Sequence, residues 1–321
     1  MSRQTMNYAY YPGCSGQGTS VEYDTSTRAV CRALGINLLD IPDWSCCGST
    51  PAHTVDHLLS SALAARNLAL AEDMDVAAVI TPCPSCLTNL KMAVHRMSDR
   101  EFRVQVNELL DKPAQRTVPV KSVLQVLAED IGPEAVAEML PDKPLAGLKL
   151  APYYGCIMNR PPEVMQFDDH ENPTAMDKLM QALGAEVVPF PLKVECCGAS
   201  YGIARKDIVA RLSGKLLETA EGLGAHAVVT ACPLCQMNLD MRQGQASAAA
   251  GHKFQLPVFY YTQLIGLALR LPQDELGLSK LCVSPRLALD AMHKARDEEQ
   301  EKAAAKAQAQ AAKQTSKAKA A

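Results

Sequence analysis

The stretch "DVAAVITPCPSCLTNL", residues 75–90, decides how this chain folds. Its apolar run ends at Cys83, which is typical of a short buried strand of a parallel sheet. The residues that follow predict a helix that carries Cys86. A second copy, "AHAVVTACPLCQMNL", occupies residues 225–239. The same strand, Cys-x-x-Cys turn and helix are therefore expected twice.

Working outward from these copies, the two halves of the chain repeat each other. "YYPGC" at 10–14 matches "YYGC" at 153–156, and "RALGINLLDIPDWSCCGS" at 32–49 matches "QALGAEVVPFPLKVECCGA" at 181–199. Each half reads Cys, then Cys-Cys-Gly, then Cys-x-x-Cys, with gaps of 31 and 35 residues in the first half and 39 and 34 in the second. Ten of the twelve cysteines follow this scheme: Cys14, Cys46, Cys47, Cys83, Cys86, Cys156, Cys196, Cys197, Cys232 and Cys235.

Strands alternate with helices in both halves, which predicts an α/β fold. We expect two pseudo-symmetric, Rossmann-like βαβ halves with parallel sheets and with the cysteines at the carboxyl ends of strands. The first half with a helical linker takes residues 1–147, and the second half takes 148–293. Within the linker, "VQVNELLDK" and "VKSVLQVLAEDIGPEAVAEML" predict amphipathic helix. The Ala- and Lys-rich residues 294–321 predict a disordered tail or a frayed helix.

The carboxyl edge of an open α/β sheet is where ligands bind and where helix N-termini present free N–H groups. Anionic thiolates are favoured there. Gly48 and Gly198, each directly after a Cys-Cys pair, are expected to let the backbone approach a bulky cofactor or to adopt positive φ.

Five thiols per half limit what the site can hold. A structural zinc ion and a regular cubane cluster each take four ligands. A fifth cysteine, with two adjacent in sequence, favours an iron–sulfur cluster of another shape or a bridging thiolate. Zinc in one or both halves, or a redox dithiol without metal, are the alternatives.

Composition narrows the function classes. The chain has 321 residues, 48% of them hydrophobic, and a net charge of −3, so nucleic acid is not an expected partner. The N-terminal residues lack the apolar segment of a signal peptide, and no apolar run is long enough to be an integral membrane segment. We therefore expect a cytoplasmic protein, in which cysteines are more often metal ligands or redox groups than structural disulfides.

This pattern resembles the cysteine-rich CCG domain, present twice as in the B-type subunit of heterodisulfide reductase. The resemblance covers most of residues 6–270 and lacks a preceding ferredoxin-like segment. The matching stretches are "YYPGC", "DHLLSSALAARNLALAE", "RPPE" at 160–163, "DDHENPTAMDKLMQALGAE" at 168–186 and "ECCGAS".

The resemblance implies that each half ligates one noncubane [4Fe-4S] cluster through its five cysteines. The two clusters would face each other, and a disulfide between them would be cleaved in two one-electron steps. The family's substrate is the mixed disulfide of coenzymes M and B. Electrons would arrive from two partners in the same complex, a ferredoxin-like iron–sulfur subunit and a flavin-containing subunit.

Other functions stay open. The chain could be a CCG electron-transfer subunit of a fumarate–succinate enzyme coupled to thiols or quinone. It could also belong to a sulfur-oxidising complex of related type, or be a zinc-stapled interaction module.

A few further residues could act at the site. His53 and His57 are expected as an i, i+4 pair on one helical face, either as polar surface or, for His53, as a proton donor to a leaving thiolate. Lys193, Arg160 and His226 are expected near strand ends, either solvated or bound to anionic substrate groups. Trp44 is expected to pack in the core or to shield a cluster. Cys31 has no counterpart in the repeat and is expected to be buried, whereas Cys282 is unassigned.

Overall fold

The structure, a computed structural model, describes residues 6–49, 51–115, 118–140, 142–295, 297–298 and 301. These residues form two four-stranded sheets in which every strand pair is parallel. The first sheet has the order β2-β1-β3-β4 and the second the order β6-β5-β7-β8. The expected α/β fold with two Rossmann-like halves is confirmed. The strands are Met6–Tyr10 (β1), Ile36–Asp40 (β2), Val79–Thr81 (β3), Val120–Ser122 (β4), Lys149–Tyr153 (β5), Glu186–Val187 (β6), Ala227–Thr230 (β7) and Val258–Tyr260 (β8).

Helices connect these strands. The helices up to β5 are Gly13–Gly16 (α1), Val21–Ala33 (α2), Pro51–Val55 (α3), His57–Ala71 (α4), Pro84–Arg96 (α5), Arg100–Glu108 (α6), Val123–Gln125 (α7) and Pro133–Ala137 (α8). Those after β5 are Pro162–Met165 (α9), Ala175–Ala182 (α10), Lys206–Gly222 (α11), Pro233–Leu239 (α12), Gln243–Ala250 (α13), Tyr261–Ala268 (α14) and Gln273–Leu276 (α15). A π-helical segment spans Val126–Ile131, 3₁₀ turns span Ala199–Tyr201 and Leu278–Lys280, and residues 286–295 are helical.

The central strands are the most apolar. All residues of β3 and β7 are buried, and so are the last four of β5. Continuous burial follows from helices covering both faces of a parallel sheet. This packing fixes the carboxyl edge of each sheet, where the repeated cysteines follow the strands.

One expectation about the linker was wrong. The segment 120–140 does not begin as helix, because Val120–Ser122 form β4 in register with β3. The counterpart β8 lies in the apolar run "LPVFYYTQLIGLAL". Each strand has only three residues and runs directly into a buried helix, so its apolar pattern merges with that of the helix.

The halves interlock. Helix α2 of the first half packs against α14 and α15, while α10 of the second half packs against α7 and α8. The main buried cluster accordingly contains residues from both sheets, from Tyr8 to Met292. The boundary expected at 147 and 148 falls just before β5, but the helices on either side of it cross between the halves.

Residues 286–295 form a helix that packs against Gly147, at the boundary between the halves. Ala288 is fully buried and Met292 nearly so. Gly147, with φ +80°, lies against Ala291 and Ala295. The expected tail of 294–321 is thus helical at 294–295, and its other residues lie almost entirely outside the described ones.

We predict that Gly147→Ala destabilises the protein more than Gly35→Ala. Both glycines have positive φ, so both substitutions carry a backbone cost of about 1–2 kcal/mol. An added Cβ at Gly35 meets nothing within 4 Å, whereas at Gly147 it would overlap the Cβ of Ala295. Urea unfolding should show a further loss of about 1–3 kcal/mol for Gly147→Ala. Adding Ala295→Gly should recover that difference; equal losses for the two alanine variants would contradict the packing.

Candidate iron–sulfur site

The five repeated cysteines of the first half gather at the carboxyl edge of the first sheet, and we call them the first cradle. Three of its thiols, those of Cys47, Cys83 and Cys86, are buried, and the sulfur atoms of Cys47 and Cys86 lie 3.5 Å apart. Cys14 and Cys46 are exposed. The cradle therefore has a buried base and an open side.

The second half builds the same arrangement, which we call the second cradle. Cys197, Cys232 and Cys235 are buried, and the sulfur atoms of Cys197 and Cys235 are 3.7 Å apart. Cys196 is exposed and Cys156 is half-buried. All ten cysteines carry free thiols.

Two cradle cysteines begin helices. Cys83 and Cys232 are the N-caps of α5 and α12, and a proline follows each of them. A hydrogen bond from the Cys86 thiol, together with the backbone N–H groups of Cys86 and Ser85, lowers the pKa of Cys83 to about 7, although burial acts in the opposite direction. The helix N-terminus thus favours a thiolate at this position.

The thiols within each cradle polarise one another. A hydrogen bond with Cys86 lowers the pKa of Cys47, and the same bond raises the pKa of Cys86 well above its usual range. Cys197 and Cys235 repeat these directions. A hydrogen bond with Cys156 lowers the pKa of Cys196 to about 6, assisted by the N–H groups of Gly198 and Ala199. Hydrogen bonding within each cradle thus favours the thiolate at some cysteines and the protonated thiol at their neighbours.

Glycines leave space above the buried thiols. Gly13 and Gly155 have φ of +71° and +77°, and an added Cβ would lie 2.8 Å from the Cys86 sulfur and 2.9 Å from the Cys235 sulfur. Sequence reasoning did not single out these two glycines, although a Gly-Cys pair follows tyrosines in both halves. They keep the approach to the base of each cradle open.

Gly48 and Gly198 also have positive φ, at +76° and +84°. An added Cβ there would meet Leu63 at 2.8 Å or the Cα of Val209 at 3.2 Å. Close packing of the following helix therefore requires glycine at both positions. Their contact with a cofactor stays a prediction.

The donor set fits an iron–sulfur cluster. Five thiols exceed the four that a tetrahedral zinc ion takes, and the space above Cys86 and Cys235 is kept clear of side chains. In the part of the chain that the structure describes, no group of three or more His, Cys, Asp or Glu side chains is arranged so that it could hold a metal ion. The fit therefore rests on the number of thiols and on the space left by the glycines.

Tyrosines and asparagines support both cradles and were missed from the sequence. Tyr11 donates to the Ser45 carbonyl and Tyr153 to the Glu195 carbonyl, each at 2.7 Å, so each holds the residue before a Cys-Cys pair. Asn89 donates to the Cys47 carbonyl, and Asn238 donates to the Cys197 carbonyl at 3.3 Å. The repeated Tyr-Tyr and Asn-Leu pairs could have revealed them.

The histidine pair is not formed as expected. His53 lies in α3 and His57 begins α4, because Asp56 interrupts the helix and caps α4 through the N–H groups of Leu58 and Leu59. Both histidines are exposed. The N–H of His53 donates to the Gly48 carbonyl at 3.2 Å, which places its backbone beside the first Cys-Cys-Gly loop.

Lys193 is neither solvated nor free to bind a substrate anion. It is buried, and its ammonium lies 2.5 Å from the Asp177 carboxylate and 2.8 Å from the Pro173 carbonyl. Its own carbonyl accepts from the N–H groups of Tyr154 and Gly155. Through these hydrogen bonds, Lys193 fixes the position of the loop that leads to Cys156.

Arg160 and His226 also have structural partners. The Arg160 guanidinium donates to the carbonyl of Val194, close to the second Cys-Cys pair, and pairs with Glu171 at 2.9 Å. His226 precedes β7 and accepts from the N–H of Lys149, so it lies at the opposite end of the strand from the cysteines. His226 is thus near a strand end, as expected, but at the end away from the cradle.

The remaining residues of interest are accounted for locally. Half-buried Trp44 packs edge-on against Tyr11, with ring centroids 5.3 Å apart, which places it behind the first cradle. Cys31 is buried, as expected, and Cys282 is exposed. No helix in the described ranges is long and apolar enough to cross a membrane.

The CCG cysteine-rich domain matches the chain twice, at residues 8–91 and 150–240. The chain belongs to this family. Each match contains one complete cradle.

Two relatives resemble almost the whole chain. The 8-methylmenaquinol:fumarate reductase membrane anchor subunit of Wolinella succinogenes is 40% identical over 85% of this chain and 95% of its own length. The B-type subunit of the ferredoxin:CoB-CoM heterodisulfide reductase of Methanosarcina mazei is 30% identical over 84% of this chain and 92% of its own. A hypothetical protein from Helicobacter pylori shares the fold, with a TM-score of 0.68 at 14% identity, over 88% of this chain and 53% of that one.

We predict that Lys193→Met destabilises the protein by about 3–5 kcal/mol, because it leaves the Asp177 carboxylate buried without its partner. The double variant Lys193→Met with Asp177→Asn removes both charges and should recover more than half of the loss. Chemical unfolding of the four proteins in this cycle measures the coupling. Additive losses would show that the two side chains do not act as a pair.

Proposed function

We propose that this chain is the disulfide-reducing iron–sulfur subunit of a complex of the heterodisulfide reductase type. The observation that carries the proposal is the pair of five-thiol cradles beside one interface between the halves. They are close together, since the Thr88 hydroxyl, two residues after Cys86, donates to the Pro84 carbonyl at 2.9 Å and lies 3.2 Å from the carbonyl of Ile157, which follows Cys156. The resemblance to the M. mazei protein supports the same function.

The cradle cysteines would hold one noncubane [4Fe-4S] cluster each. When bound, two such clusters supply two electrons one at a time. Reduction of one disulfide consumes two electrons and two protons and yields two thiols. The chain must therefore anchor the clusters, admit a disulfide and provide access for protons.

The described residues divide these tasks. The three buried thiols of each cradle are fixed by the sheet and by the N-termini of α5 and α12. Exposed Cys14, Cys46 and Cys196 lie on the side that a substrate can reach. His53, exposed beside the first Cys-Cys-Gly loop, is our candidate for delivering a proton to a leaving thiolate.

The substrate would be a mixed disulfide of the CoM-S-S-CoB type. Electrons would come from a ferredoxin-like partner of the same complex, which a flavin-containing partner would supply in turn. The cytoplasmic location expected from composition stays a prediction.

A second candidate is supported by the W. succinogenes relative. In that case the chain would be an electron-transfer subunit of a fumarate reductase-type enzyme, and the cradles would pass electrons between a quinol and a flavoprotein. Both candidates require the same iron–sulfur occupancy, and they differ in what approaches the open sides of the cradles.

Metal analysis of the anaerobically purified chain tests the shared requirement. We expect iron and acid-labile sulfide equal to two four-iron clusters per chain, and about half of that in Cys197→Ser. The exposed Cys282 lies outside both cradles, so Cys282→Ser should keep the full content. Stoichiometric zinc without iron would contradict both candidates. The zinc-stapled interaction module would then be the remaining hypothesis.

A turnover assay separates the two candidates. With reduced viologen as donor, the chain should consume the heterodisulfide, and Cys197→Ser should lose more than about 100-fold in rate because removal of a ligand costs more than removal of its supporting residues. Cys282→Ser should retain the rate. An iron-loaded chain that does not reduce the disulfide but accepts electrons from a reduced naphthoquinone would favour the fumarate reductase-type role.

A further inference from the structure

Side chains of the first half hold the backbone of the second cradle. The phenol of Tyr23, on α2, donates a 3.0 Å hydrogen bond to the carbonyl of Ala231, directly before Cys232. This contact is fully buried and joins residues 208 positions apart. Because Cys232 caps α12, the peptide between Ala231 and Cys232 sets the direction of the first ligand of the Cys-x-x-Cys turn.

The Tyr23 ring is itself fixed by the second half. It stacks on Tyr260 with ring centroids 4.0 Å apart and an interplanar angle of 5°, and it meets Tyr261 edge-on at 6.0 Å. All three rings are buried. One helical turn along α2, Ser26 and Thr262 share a 2.7 Å hydrogen bond. The phenol of Tyr23 is thus held in one orientation by stacking.

Thr88 makes a second contact from the first half to the backbone of the second cradle. Its hydroxyl, on α5, lies 3.2 Å from the carbonyl of Ile157, next to Cys156. Tyr23 and Thr88 together hold the backbone beside two of the five ligands of the second cradle.

Among the described residues, neither contact is repeated in the opposite direction, from the second half to the first cradle. The position equivalent to Thr88 is Met237, which has no hydroxyl. The position equivalent to Tyr23, eleven residues before the Leu-Gly pair that ends the helix, is Asn172, which lies before α10 begins.

We infer that Tyr23 is a positioning residue through which the first half sets the geometry of the second cradle, and that the two cradles are therefore unequal. Loss of its hydroxyl frees the peptide before Cys232 while the ring stack remains. The cradle of the first half does not depend on this contact. The part of this inference that concerns bound clusters rests on the proposed function.

Tyr23→Phe tests the inference in the full chain, with Ser26→Ala as the matched control. Ser26→Ala removes a buried hydrogen bond from the same contact between α2 and α14 but leaves Ala231 untouched. In hydrogen–deuterium exchange, Tyr23→Phe should speed exchange of residues 228–236 roughly five- to tenfold and leave residues 79–87 unchanged. Ser26→Ala should leave both segments unchanged.

Two measurements on the iron-loaded protein extend the test. During chelation of iron in the presence of an alkylating agent, Tyr23→Phe should expose the second-cradle cysteines to labelling several-fold faster, with the first cradle unaffected. Electron paramagnetic resonance should show one of two cluster signals shifted in Tyr23→Phe and neither shifted in Ser26→Ala.

Equal effects on both cradles, or the same changes in Ser26→Ala, would overturn the inference. Thr88→Val provides an independent variant. It should make Cys156 react faster with the alkylating agent in the labelling experiment. The exchange measurement needs no bound iron. A colourless protein with the expected exchange pattern would therefore contradict the proposed function while leaving the role of Tyr23 intact.

Discussion

The structure depends on bringing five thiols together without a countercharge from side chains. Neighbouring thiolates repel one another, and burial also disfavours their charge; both effects contribute to the raised pKa of Cys14, burial being the larger. Two features of the backbone act against them. The first turn of α5 directs N–H groups at Cys83, and the hydrogen bond that Cys47 shares with Cys86 lowers the pKa of Cys47. These donors stabilise part of the charge, so full deprotonation of a cradle requires cations, which iron in the proposed cluster would supply.

The parallel sheet makes this arrangement possible twice. All strands of a sheet end at one edge, so cysteines that are 30 to 40 residues apart in sequence meet there. Side chains away from the thiols differ between the halves. Midway along α5, Lys91 donates to the Met165 carbonyl, and burial lowers its pKa to about 8. The equivalent position after α12 is Asp240, which accepts from the N–H groups of Cys282 and Val283 at 2.7 and 3.0 Å. At equivalent positions, a cationic side chain in one half and an anionic side chain in the other thus bind the backbone of a distant segment. The two halves are therefore not identical outside the cradles.

The sequence predicted what local pattern and repetition can encode. Apolar runs ending in Cys-x-x-Cys identified β3 and β7, and the repeat identified every cradle cysteine that the structure brings together. It did not predict features decided by tertiary contacts. The strands β4 and β8 exist because β3 and β7 offer a pairing edge, whereas their own three residues resemble the start of a helix. The pairing of His53 with His57 failed because one capping side chain, Asp56, was enough to start a new helix. Lys193 near a strand end suggested solvent or substrate, but Asp177 lies sixteen residues earlier and meets it only in the folded chain.

Each cradle combines a buried base with exposed surroundings. The buried thiols belong to the hydrophobic core and cannot change without disturbing it. Large apolar side chains are exposed close in sequence to each Cys-Cys-Gly loop: Val55, 81% exposed, lies seven residues after Gly48, and Ile203, 94% exposed, lies five residues after Gly198. Each such side chain has a free-energy cost that contact with another molecule would remove. A disulfide-bearing coenzyme, a quinol and a partner protein each have apolar surface. Exposed side chains of this kind can change without disturbing the core, so contact with any one of these molecules would place no constraint on the buried thiols.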